Sequence, residues 1–232
     1  AVPTVMAVQN WDDHDRSNRF TAESSAKSYL DSCQKDAGAI LFTIGDNDTF
    51  PVWYAQEIEN YRTDVRVVCT SLCETDWYVD QMKRKAYTSE AIPSQISHDK
   101  YRWGSRDVLY FQNVDPLFNR EVSKSRWDIK DFIDWIDSDK PQTKFKFFLE
   151  QQDIDVNEYP ENTQNLVYYP TQKIRIPVNK KNALESGLVK EKDSALMVDY
   201  IDIDLPGAIT KKSMMMLDIV ANNDWKRPLY FS

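Results

Sequence analysis

Short apolar runs alternate along the first third of the chain with segments whose apolar residues recur at helical spacing. Residues 39–45 and 65–72 are apolar and rich in β-branched side chains, which is typical of buried strands. Helical spacing follows the first of these runs at Phe50, Trp53, Tyr54 and Ile58. A further helix is predicted from Asp76 onward, after the second run. This strand, helix, strand, helix order predicts a parallel βαβ unit with a right-handed crossover.

Helix-end signals refine this picture. Thr21 opens a helix that Gly38 is predicted to close before the first strand. Pro51 suits the first turn of the next helix, where its missing N–H is not needed. Asp48 or Thr49 can cap the free backbone donors of that turn. The chain is therefore expected to pass from strand to helix through a tight acidic turn.

The remainder of the chain gives weaker signals. Further predicted elements are a strand at 108–111, a helix at 129–136, a strand at 196–205, a helix capped by Thr210 and a strand at 227–231. Residues 166–169 and 173–178 predict an antiparallel hairpin or two edge strands, because Pro177 favours an edge. Residues 137–165 are polar and predict an irregular insertion. Together the elements predict a single α/β domain over residues 1–232, with a mostly parallel, Rossmann-like sheet covered by helices on both faces.

Composition limits the class of protein. The 232 residues are 41% hydrophobic and 12% aromatic, which is enough to fill a core. A net charge of −8 argues against nucleic acid as a partner, because a phosphate backbone repels an acidic surface. The nearest basic cluster, Lys83 to Lys85, is interpreted as a solvated helix face.

The cysteines and the hydropathy pattern give two further expectations. Cys33, Cys69 and Cys73 have no metal-ligand spacing and are predicted to be buried thiols. No apolar run approaches the roughly 20 residues of a membrane span, so the chain is expected to be soluble. Because it starts without Met and stops within a predicted strand, we interpret it as a fragment excised from a longer protein.

The acidic turn is the first candidate site. Asp46 and Asp48, separated by Asn47, have the D-x-D spacing with which nucleotide-sugar transferases hold a divalent cation. A phosphatase-type aspartyl motif fits worst, because Thr49 comes one residue too early. Recognition of sugar hydroxyls by the carboxylates is another interpretation, supported by four aromatic residues able to stack on a sugar: Trp53, Tyr54, Trp77 and Tyr78. A plain helix cap remains an equal alternative. No cofactor is firmly predicted; a divalent cation, if present, would lie on Asp46 and Asp48.

A second candidate site lies near the N-terminus. Asp12, Asp13, His14 and Asp15 have the residue types of a metal site or an acid–base pair. The same carboxylates can equally pair with Arg16 or Arg19 and hold a loop. Both interpretations stay open on the sequence alone.

Five segments together resemble a known family. Residues 10–17, 39–54, 62–68, 75–78 and 225–231 resemble a family of multi-pass membrane proteins of unknown function that is abundant in Bacteroidetes. That family is similar to the transmembrane protein O-mannosyltransferases of the GT-C class. The shared polar residues matched here are Asp12, Asp13, His14, Asp15, Gly45, Asp46, Asn47 and Asp48.

The resemblance implies a periplasmic or extracytoplasmic domain that follows the membrane-spanning part of a glycosyltransferase. Its implied partners are the parent's own N-terminal transmembrane region, a lipid-linked sugar donor and a protein acceptor. Catalytic residues of GT-C enzymes usually lie in an early loop among the membrane spans, so none can be assigned here. The expected role is acceptor or sugar binding and not complete catalysis, with Asp46 contacting a ligand and Asp48 capping the helix.

An alternative of a different class is a non-catalytic periplasmic interaction module. In this hypothesis Trp53, Trp77 and Trp103 would be exposed as one apolar patch. Burial of these rings would argue against it.

Overall fold

The computed structural model describes residues 1–112 and 126–232, and only the backbone of Asp13 and His14. The helices in these ranges are α1 (Val2–Gln9), α2 (Trp11–His14), α3 (Thr21–Ser32), α4 (Asp46–Glu57), α5 (Asp76–Met82), α6 (His98–Tyr101), α7 (Ile129–Asp137), α8 (Phe145–Gln151), α9 (Glu161–Gln164), α10 (Lys180–Glu185) and α11 (Lys211–Asn223). The strands are β1 (Ile40–Thr43), β2 (Arg66–Cys69), β3 (Val108–Phe111), β4 (Trp127–Asp128), β5 (Tyr168–Tyr169), β6 (Lys173–Pro177), β7 (Tyr200–Asp204), β8 (Ala208–Thr210) and β9 (Leu229–Phe231). Seven of these strands were predicted from the sequence, and so were five of the helices, namely α3, α4, α5, α7 and α11.

The parallel sheet has the strand order β2-β1-β9. Strands β1 and β2 pair in parallel with Ile40 opposite Arg66, and α4 connects them, so the predicted βαβ unit is confirmed. Successive side chains of a strand point to opposite faces. Leu41 accordingly packs with α3 and α4, whereas Ile40 and Phe42 pack with α5 and α11. Helices cover both faces of this sheet.

Two further three-stranded sheets have the orders β5-β3-β8 and β4-β6-β7. The α/β class is thus confirmed, but the strands are divided among three small sheets. The hairpin predicted at 166–178 is wrong, because β5 pairs with β3 and β6 pairs with β4 and β7. Pro177 is the last residue of β6, where its missing N–H costs the ladder little. It therefore does not force β6 to an edge.

One large apolar cluster joins all three sheets. It contains side chains from each of them, including Phe42, Leu109 and Ile174, and from the first half of α11 at Met214 and Met215. A second, smaller cluster lies between α3, α4 and the parallel sheet. The half-buried ring of Trp53 packs against both clusters.

Several elements begin or end at residues other than those predicted from the sequence. The helix that begins at Thr21 ends at Ser32, and Gly38 lies in a later turn with a φ of +61°. Helix α4 begins at Asp46, so Pro51 lies inside it and not in its first turn. Within the predicted insertion, residues 137–165 form short helical segments, including α8 and α9. Residues 10–17, which include the second candidate site, contain the single turn of α2.

The cysteine prediction is confirmed. Cys33, Cys69 and Cys73 are free and buried. Burial raises the pKa of Cys33 to about 11 and that of Cys73 to about 12. Neither thiol is poised to react near neutral pH.

Candidate functional site

The acidic turn is held by the side chain of Asp48. Its carboxylate accepts hydrogen bonds from the backbone N–H of Ile44 at 2.8 Å, the N–H of Gly45 at 2.9 Å and the hydroxyl of Ser232. Although burial alone raises the pKa of Asp48, the hydrogen bonds from Ser232 and the two N–H groups outweigh it and lower that pKa. Both oxygens of Asp48 are therefore engaged in fixing the turn.

Thr49 does not cap the helix. Its side chain is buried, and its hydroxyl donates to the hydroxyl of Thr43 at 2.8 Å. The hydroxyl of Thr70 donates to the carbonyl of Thr43 at 2.9 Å. These bonds tie the start of α4 to the ends of β1 and β2.

Asp46 and Asn47 are exposed at the amino end of α4. In the part of the chain that the structure describes, neither side chain makes a hydrogen bond or an ion pair. No group of three or more His, Cys, Asp or Glu side chains able to hold a metal ion occurs among the described residues. The side chains of this turn that remain free for a ligand are thus Asp46 and Asn47.

A cleft of about 390 Å³ lies between α4 and α5, with the edge strand β2 as its floor. We call it the α4–α5 cleft. Trp53 and Trp77, both candidates from the sequence, line it together with Arg66, Gln81 and Tyr87. The fold therefore brings two predicted aromatic residues into one concave surface, which is where small ligands bind most often.

The aromatic residues of the cleft differ in exposure. Trp77 is 56% exposed, whereas Tyr78 is 1% exposed and its hydroxyl accepts a hydrogen bond from the N–H of Cys69. The rings of Trp53 and Tyr78 lie 6.4 Å apart. Tyr78 belongs to the core and cannot stack on a ligand, so that part of the prediction is wrong. Trp77 and one side of Trp53 remain accessible.

Arg66 is the charged residue that sequence reasoning missed. It is buried, and its Nη2 donates to the carbonyls of Gln81, Met82 and Arg84 at 2.8–3.0 Å. Its Nε is buried without a hydrogen-bond partner, and burial lowers the pKa of the guanidinium. The signal was present in the sequence, since an arginine interrupts the apolar run of β2.

The family model described as TMEM260-associated domain 2 matches residues 22–232. The chain belongs to this family. TMEM260 is an O-mannosyltransferase, so the family connects the domain to a glycosyltransferase-related protein. The match gives no specific support to the Bacteroidetes family. No curated protein and no solved structure matches the chain.

The matched residues include the acidic turn and the α4–α5 cleft but not the second candidate site at Asp12 to Asp15. Asp12 and Asp15 are exposed. The side chain of Ser17 and its backbone N–H, which donates to Asp15 at 2.9 Å, lower the pKa of Asp15. The side chains of Asp13 and His14 lie outside the described part of the structure. Within that part, no hydrogen bond or ion pair links Asp12 or Asp15 to the acidic turn or the cleft.

None of the helices in the described ranges is long and apolar enough to cross a membrane.

Proposed function

We propose that this domain is the extracytoplasmic part of a membrane glycosyltransferase of the protein O-mannosyltransferase type. Its role is to bind a sugar or a glycosylated acceptor in the α4–α5 cleft, while the catalytic residues belong to the parent's membrane-spanning region. The observation that carries the proposal is the cleft itself, which pairs exposed Trp77 with half-buried Trp53 in a domain of the TMEM260-associated family.

The chemistry of the cleft suits a sugar ring. An exposed indole offers an apolar face on which the C–H groups of a sugar can stack. Gln81 supplies an amide beside Trp77, and Tyr87 donates its hydroxyl to the carboxylate of Glu57. Amides and hydroxyls of this kind orient a ligand that offers many hydroxyl groups.

The partners follow from this role. They are the parent's transmembrane region, a lipid-linked sugar donor and a protein acceptor, all at the periplasmic or extracytoplasmic face of the membrane. Asp46 and Asn47 are the polar side chains free to contact one of them at the start of α4. A divalent cation bound there would rely on Asp46, because Asp48 is engaged in the turn.

The first test titrates the purified domain with methyl α-mannoside and a mannosylated peptide, followed by tryptophan fluorescence and melting temperature. A ligand that binds only the folded state raises that temperature. Trp77→Ala should weaken binding at least tenfold, whereas Trp103→Ala, which removes an 81% exposed indole outside the cleft, should leave it unchanged. Absence of binding by both probes, or equal losses in the two variants, would refute the cleft as a sugar site.

The interaction-module hypothesis keeps one supporting observation. Trp77 and Trp103 are exposed, and the backbone N–H of Trp103 donates to the carboxylate of Asp76 at 3.3 Å, next to Trp77. Trp53, in contrast, packs against the core. If this hypothesis holds, neither methyl α-mannoside nor the mannosylated peptide binds, and Trp103→Ala weakens association with a partner protein.

A further inference from the structure

Another pocket, of about 240 Å³, is formed by the strands β3 and β5, the start of α8 and the segment that leads into α9. We call it the aromatic pocket. Four of the eight residues that line it are aromatic: Tyr110, Phe145, Tyr159 and Tyr168. It shares no lining residue with the α4–α5 cleft and plays no part in the function proposed above.

The fold brings these rings together from four separate segments. Tyr110 of β3 lies opposite Tyr168 of β5 in a parallel pair, so both side chains point to the same face of the sheet. The N–H of Phe145 donates to the carbonyl of Leu166 at 2.7 Å, which places the start of α8 beside β5. The rings of Phe145 and Tyr159 lie 5.9 Å apart at an angle of 80°. These two rings therefore form walls that stand nearly at right angles.

Three of the four rings are accessible to a ligand. Tyr110 is 46% exposed, and Phe145 and Tyr159 are half-buried, whereas Tyr168 is 1% exposed and belongs to the core. The other lining residues are uncharged: Gln112, Thr163, Leu166 and Val167. Lys146 and Glu158 adjoin lining residues in the sequence, but both are exposed and neither lines the pocket. The wall thus offers aromatic rings, few polar groups and no charged side chain.

We propose that the aromatic pocket binds a quaternary ammonium group. The face of an aromatic ring carries a partial negative charge and attracts a cation. A quaternary ammonium spreads its charge over methyl groups that can contact several rings at once. It has no N–H donor, so it leaves no unpaired donor when it enters the pocket. Both properties match a wall of three accessible rings that lacks a carboxylate.

The same wall disfavours other ligand classes. A primary ammonium has three N–H donors and is strongly hydrated, so it would leave water for a wall with few acceptors. A carboxylate or a phosphate would meet the negative faces of the rings without a lining cation. The net charge of −8 on the chain likewise attracts cations and repels anions. A neutral hydrocarbon group of the same shape gains the apolar contact but not the attraction to the rings.

The test compares choline with two matched probes. In 3,3-dimethyl-1-butanol a carbon replaces the charged nitrogen of choline, and in ethanolamine a primary ammonium replaces the quaternary group. Binding to the purified domain is followed by NMR titration and by melting temperature, at constant ionic strength. We expect choline to raise the melting temperature and to bind at least about fivefold more tightly than either other probe. Equal affinity for choline and dimethylbutanol, or no binding of choline, would overturn the proposal.

Two matched variants locate the site. Tyr110→Leu and Tyr200→Leu each remove a ring that is 46% exposed, but Tyr110 lines the pocket and Tyr200 does not. Tyr110→Leu should lower the affinity for choline about threefold or more and that for dimethylbutanol less, because the ring attracts the cation alone. Tyr200→Leu should leave both affinities unchanged. Equal losses in the two variants, or an unchanged affinity for choline in Tyr110→Leu, would contradict the assignment. The probe series on the unaltered chain gives its answer even if a variant fails to fold.

Discussion

At the scale of single residues, this acidic chain buries or half-buries several of its cations. Arg66 holds the end of α5 through three carbonyls, and Arg227 holds Gly38 and Ala91. Lys211, at the start of α11, is 1% exposed, and its Nζ lies 2.6 Å from a carboxylate oxygen of Asp107. Each of these side chains joins segments distant in sequence, so a buried cation here acts as a tie between elements.

The ion pair of Lys211 and Asp107 should respond asymmetrically to mutation. Asp107→Ala leaves a buried ammonium without a counter-charge and should lower the free energy of unfolding by about 3 kcal/mol. Lys211→Met leaves only Asp107, whose side chain is 38% exposed and can be hydrated, so the expected loss is about 1 kcal/mol. Urea unfolding at neutral pH measures both. The double variant should be more stable than Asp107→Ala alone; equal losses in the two single variants would contradict this account.

At the scale of elements, the start of α4 shows which parts of a site are local. The sequence predicted the strand, the acidic turn and Asp48 as a cap, because all of these depend on residues within a few positions. The hydroxyl of Ser232, which donates to Asp48 from beyond the end of β9, could not be predicted. That contact requires β9 to pair with β1, a strand far from it in the sequence.

Replacing Asp48 should show how much its carboxylate stabilises the acidic turn. Asp48→Ala should lower the free energy of unfolding by about 1 kcal/mol at pH 7, because Ile44 and Gly45 lose their acceptor. The pKa of Asp48 is lower in the folded state than its ordinary value of 3.8. The stabilisation by its carboxylate is therefore complete above pH 3.8 and is lost as the pH falls through the pKa of the folded state. The difference between the two proteins in urea unfolding should therefore shrink below pH 3.8.

Asp46→Ala is the matched control for this prediction. Asp46 lies in the same helical turn but is exposed and makes no side-chain hydrogen bond in the described part of the chain. Its loss should change stability by no more than about 0.5 kcal/mol. A pH-independent cost of Asp48→Ala, or an equal cost of Asp46→Ala, would show that the carboxylate of Asp48 does not hold the turn.

At the scale of the whole molecule, periodicity predicted elements better than it predicted their partners. β1 and β2 were predicted with their pairing because both are buried apolar runs joined by one helix. Tyr168 and Tyr169 pair with β3, across more than fifty residues, and no local signal specifies that choice. The site followed the same rule: Trp53 and Trp77 were visible as aromatic residues, but the cleft between them depends on how α4 and α5 flank β2.

The continuity of the core predicts that the domain unfolds as one unit. The large apolar cluster draws on all three sheets, and Trp53 packs against both it and the smaller cluster. Fluorescence and far-UV circular dichroism should therefore report one coincident transition in urea.

Met214→Ala in the large cluster and Leu30→Ala in the smaller one should each lower the free energy of unfolding by about 3 kcal/mol, since both side chains are fully buried. Both variants should shift that same transition. If Leu30→Ala instead produces an early, separate transition, α3 and α4 form an independent unit and the single-domain prediction fails.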